Sequence, residues 1–119
     1  MGEKASHKGS TLKLLEVVCG TPLTPMATVK LIIDEQEETA IATGDGPVDA
    51  TFTAINNILK KKVTLEEYLV QAVTGGTDDI GKVHVQVNHK GVIYYGFGAD
   101  TDVIVASAKA YLDAMNKII

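Results

Sequence analysis

Val83-His84-Val85-Gln86-Val87 runs into a polar turn, Asn88 to Gly91, then Val92 to Tyr95 and Gly96-Phe97-Gly98. Fifty-four residues earlier, Val29-Lys30-Leu31-Ile32-Ile33 runs into Asp34 to Glu37, then Thr39 to Thr43 and Gly44-Asp45-Gly46. Val83, Val85 and Val87 alternate with polar residues at period 2, the mark of a half-buried strand. A short loop with glycine at its end fits a hairpin. An apolar-periodic stretch follows each glycine pair, placing Ile55 and Leu59 opposite Ala108 and Leu112.

Working outward, Leu12 to Val18 leads into Gly20-Thr21, as Leu65 to Val73 leads into Gly75-Gly76-Thr77. Each half reads as strand, strand, hairpin, strand, turn and helix. The predicted fold is α+β, a duplicated βββα unit with pseudo-twofold symmetry that dimerises. The boundaries are residues 1–11 as a linker, 12–62 as the first repeat and 63–119 as the second. Helices are expected over about Pro47–Lys61 and Thr101–Ile119. Proline at a first helical position loses no hydrogen bond there. Ala50, Ala54, Ile55, Ile58 and Leu59 form one apolar stripe, and Ile104, Ala108, Tyr111, Leu112 and Met115 the other. Leu65 to Val73 is ambiguous: Thr64 with Glu67 resembles a capping box, and Leu65, Tyr68, Leu69 and Ala72 have helical spacing. The repeat makes it a strand.

The chain has 119 residues, 45% of them hydrophobic, and a formal net charge of -4. That is one globular domain, too acidic for a phosphate-binding face, so nucleic acid is not an expected partner. The one basic run, Lys60-Lys61-Lys62, is read as closing a helix C-terminus. No apolar run reaches the ~20 residues that span a bilayer, and Met1 to Ser10 lacks the apolar core of a signal peptide. A single cysteine, Cys19, fits a reducing, cytoplasmic setting and is expected to be a small buried hydrophobe.

Catalytic chemistry finds little support. His84 and His89, five apart on one strand, would point to opposite faces, so a histidine metal site is not expected. Asp78-Asp79 and Asp100 with Asp102 could serve acid–base work, but beside glycines they read as caps of the next element. No cofactor is expected. Binding fits better: Gly44-Asp45-Gly46-Pro47 opens a helix, where free amides and the positive dipole end attract a small carboxylate. Asp45 could hold an ammonium group, and Val48, Leu65, Tyr68 and Ala72 could enclose an aliphatic tail.

Gly44-Asp45-Gly46-Pro47-Val48-Asp49-Ala50, followed by Ala54-Ile55-Asn56, resembles the G-x-G-P-(V/L)-D-A…A-I-N signature of the 2-isopropylmalate synthase regulatory domain, shared with citramalate synthases. Gly76-Thr77-Asp78-Asp79-Ile80-Gly81-Lys82-Val83, Thr101-Asp102-Val103-Ile104 and Ala106 to Leu112 extend the match, which covers about residues 12–119. The resemblance implies a homodimeric allosteric domain carrying a feedback-inhibitor site, for leucine in the one enzyme or isoleucine in the other. It implies a separate TIM-barrel part that condenses acetyl-CoA with a 2-keto acid. This chain lacks that barrel's HxH metal motif, so it should be no synthase by itself. Carried over residue by residue, the effector site maps to Gly44, Asp45, Gly46, Pro47 and Val48, and to Leu65, Tyr68 and Ala72. Asp79, Ile80, Gly81, Ala99 and Asp100 complete it. An assembly module without effector, or a small enzyme using Asp100, Asp102 or His84, are the readings from other classes.

Overall fold

The computed structural model describes residues 9–19, 24–73 and 80–118. Strands β1 (Ser10–Val18), β2 (Met26–Ile33) and β3 (Gln36–Thr43) are followed by helix α1 (Pro47–Leu59). Then β4 (Thr64–Val73), β5 (Ile80–His89) and β6 (Val92–Asp100) are followed by helix α2 (Val103–Met115). The strands form two antiparallel three-stranded sheets, ordered β1-β2-β3 and β4-β5-β6. The duplicated βββα architecture is therefore present. Among the described residues, no helix is long and apolar enough to cross a membrane.

Alternation decides which sheet face meets the helices. Ala27, Val29 and Leu31 on β2, and Val83, Val85 and Val87 on β5, are wholly or almost wholly buried. α1 packs on β2 and β3, α2 on β5 and β6, and the helices touch each other. α2 also reaches β1 of the first sheet. Phe52 of α1 meets Tyr68 of β4 edge-on, with ring centroids 6.0 Å apart. Each helix thus touches both sheets, and one apolar core joins the halves. Phe52 and Tyr111 stack between the helices at 4.4 Å, an aromatic pair worth about 1 kcal/mol beyond its buried area.

The ambiguous segment is a strand with a bulge. Leu65 pairs with Val87, but Glu67, not Glu66, pairs with Gln86. The extra residue shifts the phase, so Leu65 and Tyr68, three apart, lie on one sheet face. That shift is what imitates helical spacing. β1 carries the same device: its register slips between Leu12 and Leu14. Leu12 and Leu15 accordingly both pack against the core. A bulge at the same place in both halves is itself a mark of duplication.

The repeat's register needs correction. Ile33 and Gln36 flank the first hairpin, His89 and Val92 the second, and the 13-residue helices begin at Pro47 and Val103. One offset of 56 residues, from Pro47 to Val103, carries each of these onto its counterpart. Gly44–Gly46 therefore correspond to Asp100–Asp102, not to Gly96–Gly98. Gly96 and Gly98 lie inside β6, opposite Val85 and Val83, where the first half has Ala40 and Ala42. A Cβ on Gly96 would sit 2.0 Å from the Ala110 carbonyl oxygen, and one on Gly98 2.3 Å from that of Ala106. These are close-approach glycines that let α2 lie against the sheet.

Both helices are shorter than expected. Lys60 takes φ 58, and its amide reaches the Asn56 carbonyl, so α1 stops by a left-handed residue. The charge of the lysine run is outside the last turn, in which no basic residue falls. α2 starts at Val103 because Asp102 is its cap. Its buried surface is also wider than one stripe, since Ala106, Ala110 and Ala114 are buried as well. Cys19 contradicts the sequence expectation: it is exposed, just beyond the end of β1.

Candidate functional site

Two helix entrances occupy equivalent places in the two halves and differ in chemistry. At α1 the N-cap is Gly46, in extended conformation, with no side chain to satisfy the first-turn amides. The turn is held from behind. The Gly44 amide donates to the Pro25 carbonyl at 3.2 Å, and the Asp45 amide to Asp49 Oδ2 at 3.0 Å. A Cβ on Gly44 would stand 2.5 Å from the Ala50 nitrogen, so only glycine fits against the helix there. Around Gly46, by contrast, nothing lies within 4 Å of where a Cβ would be. Space and uncapped amides coincide.

At α2 the same place is closed by the chain's own carboxylates. Asp102 Oδ1 accepts from the Ile104 amide at 2.8 Å, the ordinary N-cap bond. Asp100 Oδ2 accepts from the Asp102 amide at 2.9 Å, and Lys109 approaches Asp100 Oδ1 at 3.2 Å. The Asp102 amide first, then Lys109, holds the Asp100 carboxyl below the usual aspartate range. Asp102 is thus the cap, and Asp100 holds the amide of that cap residue from the end of β6.

The remaining candidates form a row and a bridge. Ala72, Gly81 and Asp100 are successive partners across β4, β5 and β6, while Ala99 pairs with Lys82 and Ile80 with Val73. Gly81 is buried under Val103, whose Cγ2 would be 2.9 Å from a Cβ placed there. Ile80 is exposed beside it. Tyr68 bridges the helices: its ring meets Phe52 of α1, and its hydroxyl is 2.7 Å from Ser107 Oγ of α2. Val48 is half-buried against the core and lies one turn before Phe52. Leu65 lies on the same β4 face as Tyr68 but lines an open groove of about 230 Å³ with Asp49, Phe52, Asn56 and Tyr111. Asp45 is exposed. Asp79 falls outside the described residues, as do Asp78 and the side chain of Ala72.

The candidates therefore fall into two clusters, the Gly44–Val48 turn and the Ala72–Gly81–Asp100 row, with Tyr68 between the helices that rise from them. Phe52, Val103 and Ser107 escaped the sequence reading. Ser107 carries a usable signal, because the corrected offset pairs it with Thr51. Both hydroxyls are fully buried and donate to the carbonyl four residues back, Val103 and Pro47, at 2.7 Å.

The chain matches the LeuA allosteric (dimerisation) domain family over residues 2–119. It is 50% identical over 108 residues to a 2-isopropylmalate synthase of Synechocystis sp., covering 90% of this chain and 20% of that protein. It is 44% identical over 116 residues to that of Heliobacterium modesticaldum, covering 98% and 23%. The Hydrogenovibrio crunogenus enzyme of the same name is 46% identical over 114 residues, covering 94% and 22%. The chain spans about a fifth of the length of these relatives.

Proposed function

The chain belongs to the LeuA allosteric (dimerisation) domain family, and from that membership we propose that it is the leucine-sensing, homodimeric domain of a 2-isopropylmalate synthase. On this reading it binds the amino acid for feedback inhibition and carries none of the enzyme's condensation chemistry. The catalytic part, which joins acetyl-CoA to a 2-keto acid, is the larger remainder of the relatives' length.

The observation that carries the reading is the difference between the two helix entrances. α2 caps itself with Asp102, whereas α1 presents amides, a positive dipole end and open space at Gly46. A carboxylate is the ligand for such a place. The amino group then goes to an acidic or carbonyl oxygen near Asp45, and the aliphatic tail to the face bearing Val48, Leu65, Tyr68 and Ala72. Leu65, Val70 and Val103, each about two-fifths exposed, leave an apolar band on the β4 side. A second copy docking there would enclose the tail, which explains why sensing and dimerisation belong to one domain.

Calorimetric titration with leucine, isoleucine and valine tests the reading. Leucine should bind best, ahead of valine by about 1–3 kcal/mol for its extra methylene. Tightest binding of isoleucine would instead assign the domain to a citramalate synthase. Absence of heat from all three at millimolar concentration would leave an assembly module only. Gly46→Asp supplies the missing cap and should compete with the carboxylate, abolishing binding while the fold is kept.

A further inference from the structure

Asn116 ties the two ends of the domain together. Its Oδ1 accepts from the Ser10 amide at 2.9 Å and from Ser10 Oγ at 2.9 Å. Its Nδ2 donates to the Ser10 carbonyl at 3.0 Å. One side chain thus satisfies three groups of a residue 106 positions away in sequence. The fit is tight on the other side as well. Gly9 has φ +71, a region favouring glycine, and a Cβ there would lie 2.9 Å from Asn116 Cγ. Ser10 is buried, although it is the first residue of β1.

Among the described residues the duplication has no counterpart of this clasp. The offset that pairs the helices sets Lys60 opposite Asn116, and Lys60 ends α1 in a left-handed turn. The clasp is therefore particular to the point where preceding chain meets the second helix. It sits at one end of α2. The other end carries Val103 over Gly81, and Ser107 on the Tyr68 hydroxyl. Between them lie 13 helical residues, a stiff rod of about 20 Å.

We propose that Asn116 is a positioning residue for feedback regulation: on the sensing reading, in which this domain follows the catalytic part, it passes a shift of α2 to Gly9–Ser10, where the chain enters β1. The proposal rests on the leucine-sensing reading above and names its route. A ligand that presses on Tyr68 or on the Gly81–Val103 contact moves α2 along its axis. Helix shifts of about 1–2 Å are ordinary in switching proteins. Hydrogen bonds of 2.9–3.0 Å do not survive a displacement of about 1 Å. The shift must therefore drag Gly9–Ser10 with it or break the clasp, and either re-aims the incoming chain.

The test uses the full-length enzyme that carries this domain, with leucine as the probe. For Asn116→Ala, leucine Kd by calorimetry should stay within about threefold of wild type, while maximal inhibition falls about tenfold or more in coupling. Asn116→Asp keeps the two accepting bonds and should restore part of the inhibition, which a purely structural loss would not predict. If Asn116→Ala does not fold, Asn116→Asp and Gly9→Ala, which presses on the clasp, carry the measurement with the same expectation of binding kept and inhibition weakened. Inhibition unchanged in every folded variant overturns the proposal, as does a Kd that rises in step with the loss of inhibition. A wild-type enzyme that neither binds leucine nor is inhibited by it overturns the sensing reading, and this route with it.

Discussion

The Tyr68 hydroxyl and Ser107 Oγ stand 2.7 Å apart across 39 residues of sequence, joining the first strand of the second sheet to the helix that covers that sheet. Ser107 Oγ also donates to the Val103 carbonyl at 2.7 Å, so it keeps a partner when Tyr68 loses its hydroxyl. Tyr68→Phe should therefore cost only about 0.5–1 kcal/mol, at the low end for a lost hydrogen bond. Tyr68→Ala removes the ring from Phe52 too and should cost about 2 kcal/mol, with leucine affinity lost. Urea unfolding of both variants, with calorimetry of the folded ones, checks the pair.

Gly96→Ala and Gly98→Ala should each cost more than about 3 kcal/mol or prevent folding, because the new methyl would overlap helix backbone that cannot yield. Gly46→Ala meets no neighbouring atom and sits at ordinary extended φ, so its cost should stay within about 1 kcal/mol. Thermal melts of the three variants separate glycines required by packing from the glycine left open at α1.

The architecture was legible because alternation and duplication are local and repeated signals. Val83, Val85 and Val87 point to one face whatever else the chain does. The bulges were not legible: at Glu66 one extra residue turns a strand pattern into something like a helix pattern. The repeat's register failed for a related reason. Glycine pairs look alike in sequence, yet Gly44 and Gly46 shape a turn while Gly96 and Gly98 admit a helix. Among the polar residues, Asp102 was legible as a cap from its place before a helix. Ser107 was not, since its likeness to Thr51 shows only at the corrected offset and its partner Tyr68 lies on β4, 39 residues away. Cys19 was misread because its neighbours are apolar, although the strand ends at Val18 and leaves it outside.

Asp100 ties acid stability to the start of α2. Its carboxyl is held below the usual aspartate range, chiefly by the Asp102 amide and then by Lys109. A depressed folded pKa stabilises the fold above the unfolded value, and that contribution is lost as pH falls through the folded one. Asp100→Asn should therefore lower the melting temperature at pH 7 and leave it nearly unchanged below the depressed folded pKa. Melts taken in steps from pH 7 to pH 2 give the comparison; an equal deficit at both ends would remove Asp100's charge from the account.

Leucine should raise the melting temperature of the domain by mass action. At a hundredfold excess over Kd the gain is about 2.7 kcal/mol, provided the unfolded chain does not bind it. In Gly46→Asp the melting temperature without ligand should rise slightly, because an aspartate cap is worth about 0.3 kcal/mol over glycine, while the response to leucine disappears. A variant that melts higher and still responds to leucine would move the carboxylate away from α1.

The outer edge of β6 shows how the second sheet is kept from pairing indiscriminately. The Phe97 amide donates to Asp113 Oδ2 at 3.0 Å, and Lys117 Nζ donates to the Tyr95 carbonyl. Asp113 on α2 and Lys117 two residues past its end, 3.8 Å from each other, thus occupy one donor and one acceptor of an edge strand. Beside them Tyr95 and Phe97 are 60% and 45% exposed, an aromatic surface that would reinforce any strand added at this edge. Because the Asp113–Lys117 pair is solvent-exposed, its removal should change unfolding free energy by no more than about 1 kcal/mol. Its effect should appear in assembly instead. Asp113→Ala combined with Lys117→Ala should drive concentration-dependent association beyond the dimer, with each single variant showing less. Sedimentation velocity across a concentration series reads this directly. A double variant that sediments as the wild type at every concentration would mean that the twist of β6, and not these two side chains, protects the edge.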